Sequence, residues 1–133
     1  MKLESQSPVI SASPEAVFTF LNRVENFEKL MPENISKFEI LADDKFAFAL
    51  KGMPEIILKK QESTPFSKIV LRAADSKIDF SLIGDITEAD AQSASLKLTF
   101  EGDFNPMMAM MIKGPISKFL ETLTGNLGKA LVP

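Results

Sequence analysis

The chain has 133 residues, with 15 basic and 18 acidic side chains giving a formal charge of -3, and it contains no cysteine, histidine, tryptophan or tyrosine. Those absences remove disulfides, thiol nucleophiles, the usual zinc ligand sets, imidazole acid-base chemistry and Ser-His triads together. The charges are dispersed, with no basic stripe to follow a phosphate backbone, so nucleic acid is not an expected partner. No metal and no cofactor is expected, and no catalytic residue is assigned. A length of this order suits a single domain over residues 1-133 with a true core. No apolar run is long enough for a signal peptide or a membrane span, so a cytoplasmic, soluble protein is expected.

Lys2 to Ile10 reads as a strand. Ser13-Pro14-Glu15 then supplies a capping hydroxyl, a proline at the first helical position and an acid near the positive end of the helix dipole, opening a helix from Pro14 to about Asn22. Val17, Phe20, Leu21 and Val24 recur at helical spacing, and a second short helix carries Phe27, Leu30 and Met31 before Pro32 stops it.

From Asn34 the period changes to two. Phe38, Ile40 and Ala42 alternate with Lys37, Glu39 and Leu41; Asp43-Asp44 turns the chain into Phe46, Phe48 and Leu50, and Gly52-Met53-Pro54 turns it again. Glu55 to Glu62 sets Ile56 and Leu58 on one face against Ile57 and Lys59. After Thr64-Pro65, Lys68 to Ala74 points Ile69, Leu71 and Ala73 inward and Val70 and Arg72 outward. Two longer strands follow, with inward rows Ile78, Phe80, Leu82, Gly84, Ile86 and then Ala94, Leu96, Leu98, Phe100, Phe104. Gly84 and Gly102 permit a bend and leave room above the sheet. Short turns join sequence neighbours, so an antiparallel meander of six strands is expected, the first strand adding a seventh.

Pro106 to Pro133 has one apolar stripe, Ile112, Ile116, Phe119, Leu123, Leu127 and Ala130, opposite Lys118, Glu121, Gly125, Gly128 and Lys129. This long helix is the cover the sheet needs. Gly114-Pro115 predicts a break or kink, which would hinge a short segment carrying Met107, Met108, Met110 and Met111. Such methionines form an adaptable lip over a pocket, or else Met108 and Met111 fill gaps in the core while Met107 and Met110 meet solvent or a neighbour.

This order of elements, with Val9-Ile10-Ser11-Ala12-Ser13-Pro14-Glu15-Ala16-Val17-Phe18 and Asn26-Phe27-Glu28-Lys29-Leu30-Met31-Pro32, resembles the START-like (SRPBCC, helix-grip) superfamily. That group includes polyketide cyclase/dehydrases, lipid-transport and ubiquinone-binding proteins and the birch pollen allergen. The resemblance covers essentially the whole chain. It implies an α+β fold, an antiparallel sheet curled around a long C-terminal helix, with an apolar cavity between them opening near the loops beside that helix. The glycine-rich loop of the pollen-allergen branch has no counterpart, since Ala42-Asp43-Asp44-Lys45 stands in its place.

Three functions fit. The first is binding of an apolar molecule, such as a lipid, isoprenoid quinone or polyketide-like compound. Its candidate site is Phe46, Phe48, Leu58, Leu71, Phe80, Leu82, Leu98 and Phe100 facing Met108, Met111, Ile112, Ile116, Phe119 and Leu123. The same side chains equally suit a filled core with no site. The second is a cyclase or dehydratase drawing on Lys60 and Glu62 at one end of the inward row. The third is a protein-interaction module or homodimer using Met107 and Met110.

Overall fold

The computed structural model describes residues 1-53, 55-61, 63-74 and 79-131. The predicted period-two segments form β3 (Ile35–Ala42), β4 (Lys45–Leu50), β5 (Ile56–Lys60), β6 (Lys68–Ala73), β7 (Phe80–Asp90) and β8 (Ser93–Gly102), an antiparallel meander in sequence order. Glu62 and Ile78 lie outside the described residues. The predicted first strand is two strands, β1 (Lys2–Glu4) and β2 (Val9–Ile10), both paired with β8 on its outer edge. Ser5 bridges the interruption. Its amide donates to the Leu98 carbonyl at 2.8 Å, and its hydroxyl accepts from the Leu98 amide at 2.9 Å. That hydroxyl also donates to the Gln6 carbonyl at 2.7 Å, so the side chain of this buried serine both donates and accepts.

Between β2 and β3 lie α1 (Pro14–Leu21) and a 3-10 helix (Val24–Leu30). The Ser13 hydroxyl accepts from the Ala16 amide at 3.1 Å, the expected cap. Val17, Phe18 and Leu21 of α1, with Val24, Phe27 and Leu30 of the 3-10 helix, are buried and close one end of the sheet.

The terminal helix, α2, runs from Pro106 to Ala130 with Pro115 inside it. The break expected at Gly114-Pro115 is absent. Proline removes the bond to the Met111 carbonyl and its ring crowds that carbonyl, while the buried stripe Ile116, Phe119, Leu120, Leu123 and Leu127 holds α2 against the sheet and the 3-10 helix. Two polar ties reinforce it: Asn126 donates to the Leu30 carbonyl at 2.9 Å, and Glu121 accepts from the Gln6 amide at 2.9 Å. Asn105 caps the start, accepting from the Met108 amide at 2.8 Å.

The outer face of the sheet is wet and carries ion pairs, Lys37 with Glu55 and Glu39, Arg72 with Asp79, Lys68 with Asp85 and Lys97 with Glu4. Arg72 points outward as expected, gripping Asp79 through two bonds of 3.2 and 3.0 Å. The glycines of the inward rows leave no free space. A Cβ on Gly84 would meet Leu96 and Leu98 side chains at 3.4 and 3.5 Å, so leucines from β8 occupy the room expected there. At Gly102 a Cβ would lie 2.7 Å from Phe80 Cβ and 2.8 Å from the Asp79 carbonyl, a close approach that requires glycine.

Candidate functional site: a groove beside the terminal helix

The inward row is filled mostly by aromatic rings. Phe46 stacks on Phe27 at 5.2 Å and on Phe38 at 5.4 Å; Phe48 stacks on Phe119 at 5.1 Å; Phe80 packs on Phe100 at 4.8 Å. Between these groups remains a void of about 10 Å³. It is bounded by Phe48, Leu58, Phe80, Leu82, Phe100, Ile116 and Phe119 of the expected site, together with Ile56 and Leu120. That is about the space of one water, and an apolar lining offers a water no partner. Phe46, Leu71, Leu98 and Leu123 are buried elsewhere in the same core.

The methionine expectation needs correction. Met108 and Ile112 are half-buried, but Met111 is 71% exposed, as are Met107 and Met110 to a similar degree. Because α2 continues through Pro115, Met111 stays in helical register on the face that turns away from the buried stripe.

That face borders an open groove of about 540 Å³. Its helical wall is Met111, Gly114, Pro115, Lys118, Phe119 and Thr122, spaced three and four apart. Its opposite wall is Leu50, Lys51, Gly52 and Met53, with Pro32 and Asn34 beside it. The second wall is a built turn. The Met53 amide donates to the Leu50 carbonyl at 2.9 Å, and Gly52 has φ +83°, the left-handed value that the third residue of a type II turn requires. The Lys51 amide donates to the Asn34 carbonyl at 2.9 Å, fixing the turn to the chain entering β3. Phe119 belongs to both spaces: it walls the groove on one side and the small void on the other.

The lysines at the rim, Lys51 and Lys118, are exposed and have no ion-pair partner among the described residues. No carboxylate lines the groove among those residues. Lys60, a candidate for chemistry, is committed elsewhere. Its ammonium donates to the Asn22 carbonyl at 2.9 Å and side-chain oxygen at 3.2 Å, capping the C-terminus of α1 where a cation is favoured. Sequence periodicity missed Lys51, Met53, Lys118 and Thr122. The Gly52 turn and the Gly114-Pro115 pair in the sequence were the signal available for the two walls.

Among the described residues no helix is long and apolar enough to cross a membrane. No family model matches the sequence, and no curated protein is similar to it in sequence. Solved structures are similar in fold. Norcoclaurine synthase from Thalictrum flavum superposes with a TM-score of 0.77 at 13% identity, covering 98% of this chain and 86% of that one. A conserved protein from Geobacillus kaustophilus gives 0.76 at 14% identity, covering 98% and 94%. A START superfamily protein from Mycobacterium smegmatis gives 0.70 at 14% identity, covering 97% and 98%. Among the described residues the eight strands, the paired short helices and the gripped terminal helix thus form an α+β helix-grip fold, the fold seen in these solved structures, a START superfamily protein among them.

Proposed function

We propose that this protein binds a small apolar molecule, of lipid, isoprenoid quinone or polyketide-like character, in the groove between α2 and the Leu50-Met53 turn. The observation that carries this reading is the groove's volume of about 540 Å³ beside an interior void of only about 10 Å³. Sites for small molecules span roughly 300 to 1,000 Å³, so the groove has the capacity that the small void beside it lacks. Leu50, Met53, Met111, Pro115 and Phe119 supply apolar contact, and two unbranched thioethers let the walls adapt to shape. The START-like fold of its neighbours supports the same reading. One of them, norcoclaurine synthase, has been seen in complex with dopamine and hydroxybenzaldehyde, small aromatic molecules.

Binding is favoured over catalysis because acid-base chemistry needs a donor and an acceptor in reach of one another. The described groove residues offer lysines and no carboxylate. The test uses Nile red, an uncharged apolar dye, followed by its fluorescence, with native mass spectrometry of freshly purified protein for any retained molecule. The wild type is expected to bind the dye with one saturable site, and Met53→Asp/Met111→Asp to weaken it at least about tenfold, two charges having been placed on an apolar wall. Unchanged dye binding by a folded double variant would overturn the assignment to the groove.

A further inference from the structure

We infer that the ligand of this groove is an amphiphile whose polar head carries a negative charge, read by Lys51 and Lys118. This deepens the binding reading above and rests on it. The two lysines come from opposite walls: Lys51 from the second position of the Leu50-Met53 turn, Lys118 from α2. Both are exposed at the rim, both lack an ion-pair partner among the described residues, and no acid lines the groove there to neutralise them.

Other lysines among the described residues, Lys2, Lys29, Lys59, Lys113 and Lys129, are likewise without an ion pair, but only Lys51 and Lys118 face one another across the groove. On the outer face of the sheet Lys37, Lys68, Arg72 and Lys97 are all matched by carboxylates. Lys60 is spent on the end of α1. With two lysines and no acid on its described lining, the groove carries a local excess of positive charge above an apolar floor. Asn34 and Thr122, also on the lining, add side chains able to donate hydrogen bonds to the same head. An ammonium is a flexible point charge with three donors, suited to a carboxylate that approaches at more than one angle. The ligand class is thus an apolar body ending in a carboxylate, lying with its body on Phe119 and Leu50 and its head toward the rim.

The experiment compares dodecanoate with dodecanol, the same chain with and without charge, below their aggregation limits. The readout is the ¹³C-methyl NMR signals of methionine: Met53 and Met111 line the groove, whereas Met107 and Met110 do not. Dodecanoate is expected to bind at least about fivefold more tightly than dodecanol, a modest ratio because the lysines are solvated. It should shift the Met53 and Met111 methyls while leaving Met107 and Met110 in place. Lys51→Gln/Lys118→Gln should abolish the preference for dodecanoate over dodecanol, and Lys51→Arg/Lys118→Arg should retain it. Equal affinity for both molecules, with Met53 and Met111 still shifting, would overturn the anionic head and leave the apolar groove standing. If neither molecule moved those methyls, both readings would fall. Preference for dodecanoate that persists in the Gln variant would also overturn the assignment to these lysines.

Discussion

Phe48 on β4 and Phe119 on α2 lie face to face, ring centres 5.1 Å apart and planes within 10° of parallel. Phe119 is only 6% exposed, yet it is the partition between the open groove and the small interior void. Of the rings on the sheet and the helix, this one borders both spaces, and it sets how deep the groove is.

Removing it should deepen the groove at a cost. Phe119→Ala is expected to lower stability by about 3 kcal/mol, near the lower end for a buried phenylalanine because one side already faces open space. The same variant should admit a longer ligand than the wild type. Urea denaturation gives the first quantity and a chain-length series of fatty alcohols the second. No change in the preferred length would show that Phe119 is not the floor.

Gly114 and Pro115 weaken α2 beside the groove. A Cβ on Gly114 would meet nothing within 4 Å, so Gly114→Ala is expected to stabilise the protein by about 0.5 to 1 kcal/mol. Pro115→Ala restores the amide that the Met111 carbonyl lacks and should add to that gain. Thermal unfolding measures both.

Lys60→Met tests a structural role against a chemical one. It removes the cation and the hydrogen bonds that close α1 at Asn22, and a loss of about 1 kcal/mol is expected. Nile red binding should be unchanged. A stable variant with lost binding would contradict the assignment.

The acid response should begin at the sheet edge. Lys97 holds the Glu4 carboxyl below its ordinary value of 4.5 by a hydrogen bond and by its charge, the pair lying 2.8 Å apart between β1 and β8. A depressed carboxylate contributes stability above its unfolded pKa and loses it as pH falls through the folded value. Hydrogen exchange at β1 should therefore quicken only below about pH 4.5, relative to Glu4→Gln. With neither histidine nor cysteine, stability should stay level from about pH 5 to 7.

The architecture was legible because it rests on period. Alternation in Phe80 to Ile86 and Ala94 to Phe100 sets one face inward, and α2 carries the matching stripe. The exceptions have identifiable causes. Pro115 suggested a break or kink, but its lost bond and ring clash are local whereas the flanking stripe is buried over three turns, so packing keeps the helix unbroken. Ser5 split the first strand because a hydroxyl was able to replace a ladder partner, a substitution no periodicity records. The site was harder still. Buried residues announce themselves by pattern, and the phenylalanines of the expected site stack on one another in the core. A groove arises from where two walls stop short of contact, which depends on helix placement and on a turn.

The pairing of β1 and β2 with β8 has a consequence for the birth of the molecule. Lys2 lies opposite Glu101 and Val9 opposite Ser95, so the leading segment has no sheet partner until some hundred residues have left the ribosome. The meander from β3 onward assembles from neighbours as it emerges, while the opening residues wait beside it and are sewn in only after β8 has been synthesised.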